Sequence, residues 1–335
     1  MTKPIAAVTG ATGFLGAHLL EALHAQGFQL RILARRTVHL PPHLRVDTQI
    51  ISGDLASDHA LERLVDGASV IIHSAGLTKA LSKQAFMSVN RDGAQSLALA
   101  AQRRATGSHF ILISSLAARE PQLSPYAASK RAGEEAVRST FAHGRLTILR
   151  PPAIYGPGDR ELLPLFKLAS LPVIPLFGGT SSRVALTHVS DVVATIVALA
   201  AKPAYSQTET NLYSCGGDAP QGYNWREIFA AAAQAQDVES RFFQLPPRLA
   251  TALLGAAGAF SETWAYLTGT PQVFTLGKAR EMLHPDWSVP EKELPSDAFN
   301  LPATPLREGF ERTISWYRRE GWLAEKTLRV NDADR

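Results

Sequence analysis

The chain has 335 residues, 45% of them apolar and 19% charged, which excludes a disordered or fibrous polypeptide and leaves enough apolar surface for a core. The formal charge is +4, but the basic residues come as scattered pairs (Arg35 and Arg36, Arg103 and Arg104, Arg318 and Arg319) without interleaved aromatics, so nucleic acid is a poor partner and an anionic small ligand explains the excess equally well. The single cysteine, Cys215, forms no internal disulfide; it reads as a structural thiol and fits a reducing, cytoplasmic compartment.

An apolar run begins at about residue 4 with "IAAVTG", which leaves no room for a signal peptide. From there, short apolar runs of strand length alternate with amphipathic stretches. The strands are "IAAVTG", "FQLRILA", "TQIISGD", "SVIIHSAG", "HFILISS" and "RLTILRP". The helices are residues 13–26, 57–66, 82–105 and 125–143. Alternation of this kind predicts an α/β fold, a doubly wound parallel sheet with helices on both faces and ligands beyond the carboxyl ends of the strands. After Arg150 a stretch rich in proline and glycine breaks the pattern. Residues 187–200 then read as a capped helix and "TNLYSCGG" as one more strand. From about Pro220 the chain is mainly helical.

We therefore expect a nucleotide-binding domain over residues 1–155 and 185–218. A smaller substrate domain takes 156–184 and 219–325, and 326–335 forms a frayed tail. No apolar run reaches membrane-spanning length. The nearest, residues 249–260, reads as a buried helix, the other readings being a pocket wall or a membrane contact.

"VTGATGFLG" sets Gly10, Gly13 and Gly16 between a strand and a helix. Such a turn needs one glycine for its tightness, one for the approach of a pyrophosphate and one for helix packing, and the helix N-terminus offers free N–H groups to the phosphates. The second strand ends in Ala34, Arg35 and Arg36, with no carboxylate to take a ribose 2′-hydroxyl. Guanidinium groups there favour a 2′-phosphate, so NADP(H) is preferred over NAD(H).

In "SPYAASK", Ser124 suits a helix cap and Pro125 a first turn, which puts Tyr126 and Lys130 on one face. An ammonium beside a phenol would lower its pKa toward acid–base use. "ILISS" ends a strand one loop earlier, so the Ser115 hydroxyl should reach the same crevice and donate to a carbonyl oxygen. Ser114 is the neighbouring candidate. Metal chemistry is not indicated, because Pro41 and Pro42 separate His39 from His43 and no H-E-x-x-H or cysteine cluster exists.

These motifs, with "GDL" (53–55), "HSAG" (73–76), "RPPAIYGPGD" (150–159) and "HVSDV" (188–192), resemble the extended short-chain dehydrogenase/reductase superfamily, also called the NAD-dependent epimerase/dehydratase family. The resemblance covers almost the whole chain. It implies a Rossmann fold and a triad of Ser115, Tyr126 and Lys130: a polariser, a proton donor or acceptor, and a lysine that binds the nicotinamide ribose and tunes the tyrosine. It also implies cofactor contacts at Gly10, Thr12, Gly13, Phe14, Leu15, Gly16, Asp54, Leu55, Ala75, Gly76, Tyr126 and Lys130, with Pro151 and Ile154 against the nicotinamide. Asn90, His73 and His188 fall at family positions read here as structural. Dimers are common in the family, so a homodimer is compatible with the resemblance.

Three functions follow. The leading one is an NADP(H)-dependent oxidoreductase acting on a ketone, aldehyde or secondary alcohol of a fairly apolar small molecule, resembling the dihydroflavonol-reductase and 3β-hydroxysteroid-dehydrogenase branch. The alternative is a nucleotide-sugar epimerase or dehydratase, for which Arg160 and Arg183 keep diphosphate contacts open. The third is a non-catalytic NADP-binding sensor or assembly subunit. Phe166, Phe177, Trp264, Tyr266 and Phe274 are candidate pocket residues, with core packing expected for most.

Overall fold

The structure is a computed structural model and describes residues 3–177, 179, 181–201, 209–272, 274–295, 301 and 303–324. The expected tail, residues 326–335, lies outside the described residues.

The apolar run at the start forms β1 (Ile5–Thr9), and the glycine turn leads into α1 (Phe14–Ala25). β2 (Gln29–Ala34), the short α2 (Pro42–Arg45) and β3 (Thr48–Ser52) follow. Ser57 caps α3 (Asp58–Val65) by accepting from Ala60 N, and β4 (Val70–His73) comes next. The stretch read as one helix over 82–105 consists of α4 (Lys83–Met87), a π-helical turn at Ser88–Asp92 and α5 (Gly93–Arg104). β5 (His109–Ile113), a 3₁₀ turn (Leu116–Arg119), α6 (Pro125–Thr140) and β6 (Arg145–Arg150) complete the alternating half.

The second half is less regular. β7 (Ala153–Tyr155), α7 (Leu163–Ala169), β8 (Val173–Leu176), β9 (Arg183–Val184) and β10 (Leu186–His188) precede α8 (Val189–Ala200). β11 (Glu209–Ser214) is the extra strand expected from "TNLYSCGG". The remainder is α9 (Trp225–Gln234), β12 (Arg241–Gln244), α10 (Pro247–Thr268), α11 (Leu276–Leu283), β13 (Asp286–Trp287), a 3₁₀ turn (Glu291–Glu293) and α12 (Leu306–Arg319).

Seven strands form one parallel sheet in the order β11-β6-β5-β4-β1-β2-β3. The chain runs outward from β1 through β2 to β3, then crosses back to place β4 on the other side of β1. The order reverses between β1 and β4, and a crevice opens there beyond the strand ends. One face of the sheet is packed by Leu19, Leu20 and Leu23 of α1 and Val192, Ile196 and Leu199 of α8, the other by Leu61 and Leu64 of α3 and Leu97 and Ala101 of α5. Burying each leucine contributes roughly 1.5–3 kcal/mol.

A third core lies apart from both. It is built on edge-to-face aromatics: Tyr155 on Phe310 with centroids 4.9 Å apart, Phe166 on Phe310 at 5.0 Å and Phe166 on Tyr317 at 5.5 Å. Cys215, one residue past β11, is buried beside α8 and its thiol is pushed up to about 12, as expected of a structural cysteine.

Two expectations need correction. Residues 249–260 are helical, but the helix is not buried: only Ala250, Leu254, Gly258 and Ala265 of α10 are. Its inner face uses small residues because α11 approaches closely, and its large residues therefore point outward. For the same reason Trp264 and Tyr266 are exposed, and neither belongs to the core.

Candidate active site

The crevice is built first by the glycine turn. Gly10 sits at φ +74°, where other residues are strained, and a Cβ on it would stand 2.6 Å from Ala75 N. A Cβ on Gly16 would stand 2.1 Å from Gly10 O. Gly13, the cap of α1, meets only Gly10 O at 3.3 Å and is exposed. The three glycines thus divide the roles expected of them: a tight turn, close helix packing and an open approach to the helix N-terminus. Thr12 is exposed at this opening. Leu15 is buried in the core, so the backbone N–H is what it can offer a phosphate. Phe14 lies edge-on to His18 with centroids 5.7 Å apart, and the imidazole Nε2 of His18 is 2.8 Å from Pro157 O, linking α1 to the loop after β7.

Across the switch point, Thr9 Oγ1 accepts from Ala75 N at 3.3 Å and pairs with His73 Nδ1 at 2.7 Å. His73 is fully enclosed, and burial, helped by the Lys130 charge, drives its pKa down to about 3. It is a neutral structural group. At Gly76 a Cβ would stand 3.2 Å from Asn90 Oδ1 and 3.7 Å from Lys130 Nζ, so this strip of backbone stays bare where the lysine arrives.

Ser124 caps α6 through Ala127 N at 3.0 Å, and Tyr126 and Lys130 leave the first turns of that helix toward the crevice. The Ser115 hydroxyl stands near enough to the Tyr126 phenol to favour its ionised form, and the Tyr126 ring lies edge-on to Phe86, with centroids 6.2 Å apart. Ser115 also caps the 3₁₀ turn by accepting from Ala117 N at 3.2 Å. Ser114 is buried and faces elsewhere, its hydroxyl donating to Glu134 Oε1 at 2.5 Å. Lys130 Nζ donates to Ile113 O at 2.7 Å.

The expected lowering of the Tyr126 pKa is not what this arrangement produces. Burial raises it, the Ser115 hydroxyl opposes, and the carboxylates of Glu161 and Glu281 raise it further. The Lys130 ammonium is itself depressed by burial to about 8, with Glu134 opposing. The phenol is thus held protonated beside the Ser115 hydroxyl.

A family model for the NAD dependent epimerase/dehydratase family matches residues 6–216. The chain belongs to that family. Ceramide reductase from Caulobacter vibrioides is 47% identical over 332 residues, spanning 97% of this chain and 98% of the relative. The 2-alkyl-3-oxoalkanoate reductase of Stenotrophomonas maltophilia is 29% identical over 204 residues, spanning 55% of this chain and 61% of the relative. Among solved structures, MoeE5 in complex with UDP-glucose and NAD is similar in fold, with a TM-score of 0.66 at 21% identity over 95% of this chain and 99% of that one. This family member is an NAD(P)-dependent oxidoreductase.

The remaining expected cofactor positions of the oxidoreductase line the same edge. Arg35 and Arg36 are exposed just beyond β2, and among the described residues neither is held by a hydrogen bond or ion pair. Asp54 accepts from Ala56 N at 3.0 Å, and Leu55 lies against Gly93, where a Cβ would stand 2.7 Å from it. Pro151 is buried and its carbonyl accepts from Leu116 N at 2.8 Å; Ile154 is half-buried beyond it.

Several supporting residues escaped the sequence reading in their detail. Asn90, in the π turn, accepts from Leu77 N at 2.7 Å and donates to Leu77 O at 3.0 Å and to Ser129 Oγ at 2.8 Å, clamping the loop after β4 onto α6. Behind α6 lies a buried network: Arg150 donates to both oxygens of Glu134, at 2.8 and 2.6 Å, and to Glu293 at 3.4 Å, while Ser214 donates to Glu293 at 2.8 Å. Glu134 stands one turn after Lys130, a spacing visible in the sequence, but its partner Glu293 lies far along the chain. His188 caps α8 through Ser190 N and packs on Tyr155, the structural role expected of it.

Proposed function

We propose that the protein is an NADP(H)-dependent reductase of a ketone carried by a long-chain, ceramide-like lipid, with Ser115, Tyr126 and Lys130 as its catalytic residues. The observation that carries the reading is the grouping at one strand-end crevice of Ser115 beside Tyr126, Lys130 one turn further along α6, and the bare strip at Gly76 where the lysine arrives. The glycine cradle fits a dinucleotide, since a Cβ at Gly10 or Gly16 would fill it. When bound, the nicotinamide supplies the hydride for the carbonyl carbon. Ser115 and Tyr126 then hold the carbonyl oxygen, and Tyr126 releases its proton to that oxygen as negative charge develops. Lys130 provides positive charge beside the departing proton and donors for a ribose. Asp54, Leu55, Ala75, Pro151 and Ile154 are assigned to the cofactor's flanks, and residues 156–184 and 219–325 to the substrate side.

Preference for NADP(H) rests on Arg35 and Arg36, two unengaged guanidinium groups where a carboxylate would favour NAD(H). The lipid class is taken from the Caulobacter relative's name and the length of the match. The nucleotide-sugar reading loses support from the proposed diphosphate arginines. Arg160 lies over the Trp322 ring at 4.5 Å, and Arg183 reaches back to Ser182 O at 3.5 Å.

The test is Tyr126→Phe. Turnover of NADPH with a ketone lipid should fall by about a hundred- to ten-thousandfold while NADPH binding stays within about twofold. Equal loss of binding and turnover would assign Tyr126 a structural role instead.

A further inference from the structure

We propose that α10 lies in the surface of an anionic phospholipid bilayer and seats the enzyme there, with its cleft facing the lipid phase. The docking rests on α10 itself; only its use in delivering substrate rests on the lipid-reductase reading above.

Thirteen large apolar side chains are exposed among the described residues, and six of them lie on this one helix: Leu249, Leu253, Phe260, Trp264, Tyr266 and Leu267. Steps of four, seven, four and three place Leu249, Leu253, Phe260, Trp264 and Leu267 along a single stripe. Phe260, Tyr266 and Leu267 are 71%, 86% and 73% exposed, far more than residues at the edge of a core would be. The opposite face is fixed to the protein. A Cβ on Gly258 would stand 2.8 Å from Leu276 N, and that same N–H donates to Glu262 Oε1 at 2.9 Å. The stripe cannot turn inward without breaking this seat on α11.

The chemistry of the surroundings selects the occupant. Within 22 residues α10 carries only Arg248 and Glu262 as charges, and Glu262 is engaged by Leu276 N. Arg241 before the helix, Arg248 in its first turn and Arg280 on α11 are exposed, whereas Glu281 of α11 is buried against Ser124. An apolar stripe on a helix entered through Arg248, with exposed arginines on the elements before and after it and a chain of net charge +4, is complementary to anionic headgroups over acyl chains. Trp264 and Tyr266 near one end suit the headgroup level. No described helix is long and apolar enough to cross a membrane, so the helix lies in the interface plane.

The stripe is also coupled to the crevice. α11 bridges α10 to α6: a Cβ on Gly277 would stand 2.7 Å from Ser124 Cβ, and Glu281 accepts from the Ser124 hydroxyl. Ser124 caps α6 two residues before Tyr126. The stripe is thereby joined, through α11 and the Ser124 cap, to the helix that carries Tyr126.

The experiment is flotation of the full chain with phosphatidylcholine vesicles, with and without phosphatidylglycerol. We expect the wild-type chain to float with the anionic vesicles, and Phe260→Ser/Trp264→Ser/Leu267→Ser to lose about tenfold or more of that partitioning. Its thermal midpoint and NADPH binding should be unchanged. Val46→Ser/Ile50→Ser, which removes exposed apolar groups elsewhere, should float like wild type. The proposal is overturned if wild type ignores both vesicle types or if the triple variant floats as well as wild type. It is equally overturned if light scattering shows a lipid-free dimer that the triple variant dissolves, which would assign the stripe to a second copy. Vesicle binding requires no turnover, so a failed reductase assay leaves this outcome readable.

Discussion

α1 and α10 are both rich in leucine and alanine, and they dispose of those residues in opposite ways. α1 buries Leu15, Leu19, Leu20 and Leu23 against the sheet. α10 buries Ala250, Gly258 and Ala265 with a single leucine, Leu254, and turns Leu249, Leu253, Phe260, Trp264 and Leu267 to the outside. What differs is the neighbour. A pleated sheet receives large side chains between its own, whereas α11 comes so near α10 that its inner face must be small. Apolar content alone therefore says that a helix has a sticky face, and not what covers it.

The buried network behind α6 should show the largest effect, because it ties the helix of Tyr126 and Lys130 to both halves of the molecule. Arg150→Met leaves Glu134 and Glu293 buried without their cation, and stability in urea should fall by about 3–5 kcal/mol. A loss below about 1 kcal/mol would mean that solvent or a protonated carboxyl replaces the guanidinium.

The two helices can be set against each other directly. Leu19→Ala on α1 should cost about 2–5 kcal/mol, and Leu253→Ala on α10 should stay within about 0.5 kcal/mol. If Leu253→Ala proved as costly as Leu19→Ala, α10 would be covered by another part of the chain and the contrast would collapse.

The same contrast explains what could be read from the sequence. The six strands of the alternating half, the glycine turn and the face shared by Tyr126 and Lys130 follow from local rules: strand-length apolar runs, the glycine spacing and an i, i+4 pair after a cap. "TNLYSCGG" was legible as a strand for the same reason, although nothing local says that it pairs with β6. The small parallel pairs β7 with β10, β8 with β12 and β9 with β13 were not legible, since strands of two to four residues carry too little pattern and their partners are distant. The π turn at Ser88–Asp92 was hidden because its insertion is felt only where Gly133 of α6 meets Asn90 O, 2.3 Å from where a Cβ would stand. The Tyr126 environment was not legible because the burial that raises its pKa is a tertiary effect, to which Glu161 and Glu281 add from segments far along the chain.

On the cofactor side, Arg35→Ser/Arg36→Ser should lower the NADPH over NADH preference by about ten- to a hundredfold in kcat/KM. Turnover at saturating NADPH should change little, because these residues lie beyond β2 and away from Tyr126. An unchanged preference ratio would remove the arginines from the 2′-phosphate assignment.

The remaining effect is the most specific to the crevice. Lys130 is depressed from 10.5 to about 8 by burial, with Glu134 on its own helix opposing and neutral His73 facing it from β4. Below about pH 8 the lysine is protonated in the folded and the unfolded chain alike, and stability does not respond to it. Between about 8 and 10.5 the unfolded chain binds a proton that the folded chain has released, so stability rises with pH across that window. Activity should move the other way, since the ammonium that donates to Ile113 O and stands beside Tyr126 is lost there. Lys130→Met should flatten the stability rise while leaving the rest of the pH curve in place, as followed by urea unfolding of the cofactor-free enzyme at stepped pH. A wild-type rise that survives in Lys130→Met would belong to another group, and the lysine would then be better solvated than its place beside Gly76 and His73 requires.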